Sequence, residues 1–297
     1  MDFNLVDLVL RVNSGNRSVL ARGLFSSGGA FAQTCRAVTC RWPGRDCRAC
    51  AASCDCGWHQ VFSQELTTDP EALRRHQKPP LPFSFHFPAA VCDSGPGEMV
   101  CSLVVIGSAI PFLEMLLQGF AVMVRQQGGT LVSMSSRDYQ GKEFLLGNGV
   151  GIEQPGNLVI LSSRGSFESR PWAGTSLRVE LLTPLRLVSH GRQLRRFEFC
   201  TFARTLLRRV SAMAHYYGQS REDHDFKALS LTAEQVTCDE YRFAWEGCGN
   251  GGPAGLTGYG RFSGNFTELL PFLAAGRYLN AGKGAAYGSG AFEVEVE

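Results

Sequence analysis

Residues 267–296 read TELLPFLAAGRYLNAGKGAAYGSGAFEVEV. Apolar spacing predicts a helix over Thr267–Tyr278, and Phe292–Val296 alternates apolar with acidic side chains, as a strand with one buried face does. Between them Gly282, Gly284, Gly288 and Gly290 surround Lys283. Glycine permits positive φ and close approach of a ligand, so such a loop can present several N–H groups to a phosphodiester. Two familiar phosphate loops are excluded. The dinucleotide fingerprint G-x-G-x-x-G follows a strand and opens a helix; here the spacing is G-x-G-x-x-x-G and the order is helix, loop, strand. A Walker loop needs four residues before its Gly-Lys and a Ser or Thr after it; five residues separate Gly276 from Gly282-Lys283, and Gly284 follows. On the residues alone, a tight helix-to-strand connection built from glycine is the competing reading.

Working outward, Leu177–Val188 reads as a strand interrupted near Pro184, and Val236–Trp245 and Leu256–Phe262 as two more. Phe199, Phe202, Leu206, Val210 and Met213 recur at three-to-four spacing and predict a helix over Phe197–Tyr217. The order is βαββαβ. The first half repeats it: strand Phe3–Val12, a helix over Arg17–Arg36 weakened by Gly23, Gly28 and Gly29, strands Phe83–Pro88 and Val100–Ile106, helix Phe112–Arg125 entered through Pro111, and strand Thr130–Met134. Gly141–Gly174, rich in Gly, Ser and Pro with a strand at Asn157–Leu161, reads as a hairpin arm and linker. The fold class expected is α+β, with two tandem ferredoxin-like domains. Residues 1–168 form the first, carrying a cysteine-rich insertion and the arm; residues 169–297 form the second, with the glycine loop.

The bulk numbers agree. At 297 residues, 44% hydrophobic and 19% charged, the chain can bury two small cores and is not a disordered protein. The net charge of +2 carries no global nucleic-acid signature, but the cations are 25 arginines against 4 lysines. Coding bias in a GC-rich genome accounts for most of that, although the guanidinium fork also suits phosphate. The N-terminus has neither a basic nor an apolar leader region, so a cytoplasmic location is expected. Met99–Val124 is long enough for a membrane span, but Gly107, Pro111, Glu114, Gln118 and Gly119 interrupt it. A buried strand followed by a helix is the better parse, and no membrane partner is expected.

Eleven cysteines, an odd number in a long chain, suit reduced thiols better than a disulfide scaffold. Six of them, Cys35 to Cys56, lie within 22 residues. Cys47-x-x-Cys50 has zinc-like spacing, and Cys54 and Cys56 complete a candidate structural set. Cys35 with Cys40, or Cys54 with His59, offers other pairings, and buried reduced thiols are the alternative. Nothing argues for a catalytic metal.

Pro271–Gly284, continuing through Gly288-Ser289-Gly290, resembles the C-terminal signature of the CRISPR repeat-processing endoribonucleases, members of the repeat-associated mysterious protein (RAMP) superfamily. Thr183-Pro184-Leu185-Arg186-Leu187 and Arg22-Gly23-Leu24-Phe25 are similar to that family too. The resemblance implies two ferredoxin-like units and a glycine loop that meets RNA through Gly282, Lys283, Gly284, Gly288 and Gly290. It implies cleavage without a cofactor: the ribose 2′-OH attacks its own 3′-phosphate, leaving a 2′,3′-cyclic phosphate and a 5′-OH. It further implies a CRISPR repeat hairpin as partner, held after the cut, and other subunits of a CRISPR ribonucleoprotein complex. The basic run from Arg186 to Arg209 has seven arginines and one acid; Arg192, Arg195, Arg196, Arg204, Arg208 and Arg209 are the candidate phosphate contacts. Arg204 and Arg208 lie one helical turn apart.

In many relatives a histidine near the first helix serves the chemistry, and here no histidine precedes Gly57. Arg22, Arg36 and Arg242 are the candidate phosphate clamps. Arginine is a poor base, so His59 is the candidate proton-exchanging group, with a zinc ligand or a packed ring as its other readings. His215 and His224 read as surface or helix-end residues. A non-cleaving RAMP subunit that only binds guide RNA is the rival function.

Overall fold

The computed structural model describes residues 2–26, 28–42, 44, 46–76, 78–88, 95–149, 151–164, 175–218, 224–247 and 253–297. The first unit runs β1 (Asn4–Ser14), α1 (Arg17–Ser26), α2 (Gly28–Thr39), α3 (Gly57–Phe62), α4 (Pro70–Arg75), β2 (Phe83–His86), β3 (Gly97–Ile106), α5 (Leu113–Gln126), β4 (Gly129–Arg137), β5 (Glu143–Asn148) and β6 (Leu161–Ser162). Its antiparallel sheet has the order β2-β3-β1-β4-β5, with β6 pairing β1. The second runs β7 (Ser176–Leu185), the small hairpin β8 (Val188–Ser189) and β9 (Arg192–Gln193), α6 (Phe199–Tyr217), α7 (Phe226–Glu234), β10 (Thr237–Glu246), β11 (Gly255–Ser263), α8 (Leu270–Leu279) and β12 (Phe292–Val296). Its main sheet has the order β10-β11-β7-β12. In both units the strand that opens the βαββαβ order is central, flanked by the third and fourth. That is the ferredoxin-like arrangement, twice.

Period-two burial builds each core. Val6, Leu8, Leu10 and Val12 turn one face of β1 onto Leu20, Phe31, Leu116 and Phe120 of the helices. In the second unit all five apolar residues marked at helical spacing on α6 are buried, against Val179, Phe262, Phe292 and Val294 of the sheet. Gly107–Gln126 is long and apolar enough to cross a bilayer, and over half of it is buried inside the fold. Met115, Leu116, Phe120 and Val124 spend that hydrophobicity on the first core.

Two expectations are corrected. Glu143–Asn148, inside the expected arm, is instead a fifth strand paired with β4. Asn157–Leu161 starts at the end of a 3-10 turn, Pro155–Asn157, and of its residues Leu161 alone pairs with β1. The rest of the arm, 165–174, lies outside the described residues, as does the boundary drawn at 168/169. Helix α7 was not foreseen; Asp225 caps it, accepting from the backbone N–H of Lys227 and Ala228.

The two units meet along β2. Ser84 Oγ donates to the Leu279 carbonyl at 2.9 Å, and the Asn280 amide donates to the carbonyls of Phe85 and Ala285, each at 2.9 Å. His86 Nε2 lies 3.0 Å from the Tyr278 carbonyl, which can only accept, so the proton sits on Nε2. Burial pushes His86 down to about 4, and its ring is neutral at neutral pH. Arg209 reaches the same joint: Nε donates to Leu279 O at 2.7 Å and Nη2 to Ser84 Oγ at 3.0 Å. Phe3, Leu5, Val104 and Ile106 of the first sheet are part of the second unit's core. At Gly107 (φ +54°) a Cβ would sit 1.8 Å from the Tyr217 carbonyl oxygen, so only glycine lets the end of α6 dock there.

Candidate nucleic-acid interface

The glycine loop leaves α8 at Asn280, whose φ is +57°. Gly282, Gly284, Gly288 and Gly290 all have positive φ, between 70° and 88°. Much of the loop's hydrogen bonding closes on β7 and its exit. Lys283 N–H donates to Arg186 O at 3.0 Å, Gly290 N–H to Pro184 O at 3.1 Å, and Thr183 Oγ1 to Gly288 O at 2.7 Å. Tyr287 and Ser289 N–H both turn back to Gly284 O. The expected row of phosphate-binding amides is therefore largely spent inside the loop. Gly288 and Gly290 are buried: a Cβ on the first would strike the Phe87 ring at 2.7 Å, on the second the Ala281 carbonyl oxygen at 2.0 Å. Both are packing residues rather than RNA contacts. Lys283 projects from the exposed lip.

That lip borders a cavity of about 1380 Å³ between α4, α6, the start of α7 and the β8–β9 hairpin. Six cations line it: Arg74, Arg186, Arg204, Arg208, Lys227 and Lys283. Among the described residues Asp225 is the one carboxylate that lines it, and it is occupied in capping α7. His76, His190 and His224 line it as well. A concave surface with this charge excess holds a polyanion by ion pairing and counterion release.

The basic run divides by position. Arg204 and Arg208 face the cavity, Arg204 also pairing with Glu234. Arg192 is exposed on β9; Arg195 and Arg196 lie over the rings of Trp245 and Tyr241, both at 5.4 Å, on edge strand β10. Arg209 is corrected: it sits one position past Arg208, and its guanidinium turns into the domain joint, where burial lowers it to about 10.

The four candidate catalytic residues do not converge. Arg22 is exposed on α1. Arg36 lies 5.4 Å over the Trp58 ring, and Trp58 Nε1 donates to Ala32 O at 2.7 Å, tying α3 to α2. His59, next on α3, pairs through Nε2 with Glu65 at 3.1 Å. Arg242 is remote from these. On β10, Tyr241, Phe243 and Trp245 face the helices, so Arg242 points to the opposite, outer face, where Glu240 holds it at 3.2 Å.

The cysteine segment folds as two 3-10 turns, Cys47–Ala49 and Ser53–Asp55, leading into α3. Cys47, Cys50, Cys54 and Cys56 are free thiols, and among the described residues no three His, Cys, Asp or Glu side chains are grouped to hold a metal ion. The expected zinc set is thus not assembled. Cys35 is core, its thiol pushed up to about 12 by burial.

Residues 179–292 match the family model of the CRISPR-associated endoribonuclease Cas6. Residues 28–142 match a model described as an N-terminal domain. Thermus thermophilus Cas6 (TTHB231) is 15% identical, with 99% of this chain and 99% of that chain covered and a TM-score of 0.56. The Cas6 (TTHB231) product complex is 16% identical over 98% and 100% of the two chains, with a TM-score of 0.59. A Cas6 (TTHA0078) product complex is 16% identical over 98% and 99%, with a TM-score of 0.52. At these identities the likeness is one of fold. No curated protein sequence matches the chain.

Proposed function

We propose that the chain is a CRISPR repeat-processing endoribonuclease of the RAMP superfamily, a reading supported by the Cas6 family-model match over residues 179–292, and that it holds its repeat RNA in the basic cavity and cuts it there. Attack by a ribose 2′-OH on the adjacent phosphate leaves a 2′,3′-cyclic phosphate and a 5′-OH, with no cofactor in the reaction. The carrying observation is that Arg204 and Arg208 of α6 and Lys283 of the glycine loop line one cavity. The exposed Arg192, Arg195 and Arg196 beyond it suit the stem of a repeat hairpin, which stays bound after the cut. Relatives of the same fold are known as product complexes, in keeping with retained product. The reading places the protein in the cytoplasm, where the transcript is made, with other CRISPR subunits as its partners.

Incubation with the transcript of its own genomic repeat tests this reading. One defined product pair ending in cyclic phosphate and 5′-OH is expected. Tight binding with no cleavage would instead establish the rival, a non-cleaving guide-RNA subunit. The cavity itself is tested by replacing Arg204, Arg208 and Lys283 together with alanine. Affinity should fall, and the slope of log K against log salt should flatten by roughly two to three, close to one per lost phosphate contact. An unchanged slope places the RNA elsewhere.

A further inference from the structure

The reaction needs a proton for the departing 5′-oxygen, delivered near neutral pH. Imidazole does exchange a proton there, and three line the cavity. Two of them are engaged in packing. The His76 ring stacks on His215 at 5.6 Å, and the His224 ring meets Phe272 edge-on at 5.1 Å with its Nε2 buried. His190 is the exposed one.

His190 and Gly191 form the two-residue turn of the β8–β9 hairpin, with φ of +48° and +74°. Such a turn favours Asn-Gly or Asp-Gly, and histidine too enters the left-handed region more readily than most side chains. At the tip of this turn the His190 side chain is exposed and lines the cavity.

Arg186, four residues earlier, lines the same cavity, and its Nε is buried with no hydrogen-bond acceptor in the protein. Its Nη2 lies 3.2 Å from where a Cβ on Gly284 would be, so that glycine leaves the guanidinium its room. Arg186 O in turn fixes the Lys283 backbone. An anion is the partner this arrangement lacks.

We propose that His190 is the general acid of RNA cleavage, protonating the leaving 5′-oxygen of a phosphate held by Arg186 and Lys283. The assignment rests on the endoribonuclease reading above. The 2′-oxygen bonds to phosphorus as its proton passes to water; the P–O5′ bond breaks, and the 5′-oxygen takes the proton of the His190 imidazolium. Neutral His190 then regains a proton from water.

His190→Gly and His190→Asn both suit the left-handed turn, so both variants should fold. In single-turnover cleavage of repeat RNA by the full chain, each is expected to lose on the order of a hundredfold or more in rate, with RNA affinity unchanged. Replacing the scissile 5′-oxygen by sulfur, which leaves without a proton, should restore most of that loss. Parental rates in both variants overturn the assignment, as does a defect undiminished on the sulfur substrate. If the unaltered protein cuts no repeat RNA, the endoribonuclease reading falls and the assignment with it; if it cuts and the variants match it, only the assignment falls.

Discussion

Cleavage of repeat RNA is expected to stop completely when a single 2′-deoxy nucleotide occupies the scissile position, while binding of that RNA is unchanged and excess EDTA leaves the cutting of unmodified RNA intact. With the 2′-oxygen as nucleophile, its removal takes away the attacking atom instead of weakening an interaction, so no residual rate at that bond should survive. Binding should persist because the proposed phosphate contacts, Arg204, Arg208 and Lys283 of the cavity, do not read the sugar. Gel-shift affinity and end-mapped products on the same two RNAs measure both halves. Cutting of the deoxy substrate at the same bond, or loss of activity in EDTA, would refute this mechanism while leaving the family assignment in place.

The second large effect separates two adjacent arginines. Arg209→Ala should cost about 3 kcal/mol of stability, since hydrogen bonds to a charged group are worth ~1.5–3 kcal/mol each and two are lost, to Leu279 O and Ser84 Oγ. Ser84, which is fully buried, loses its contact with the guanidinium. Arg208→Ala, one residue away and exposed, should change stability by no more than about 0.5 kcal/mol. RNA binding should show the reverse pattern: Arg208→Ala flattens the salt slope, and Arg209→Ala leaves it alone under conditions where the protein stays folded. Urea midpoints and salt titrations on the two single variants decide the matter. A salt-slope change at Arg209 would return it to the RNA surface.

The sequence carried the repeated βαββαβ order because alternation and helical spacing act locally, and Phe199 to Met213 is a clear instance of the latter. It under-reported α7, whose nine residues are announced only by Asp225 as cap, and β5, whose polar flanks hide a strand that pairs with β4. At the interface, one-dimensional charge could not separate Arg208 from Arg209. They are neighbours in sequence, but a rotation of about 100° between successive helical residues sends one to solvent and the other into the joint. The glycine loop is shaped first by packing: its positive φ values and its close contacts with Ala281, Phe87 and Arg186 require glycine before any phosphate is considered. His190 was invisible as a functional residue because its setting depends on Arg186 and Lys283, brought together by tertiary contacts. The His190-Gly191 pair between two short polar runs is the one local signal that marked the turn.

The amide of Asn280 clasps Phe85 in one domain and Ala285 in the other, so the proposed RNA-binding surface is hung from both halves of the chain. Damage to the first domain should therefore disturb the second domain's loop as well, and the two are expected to lose their structure together.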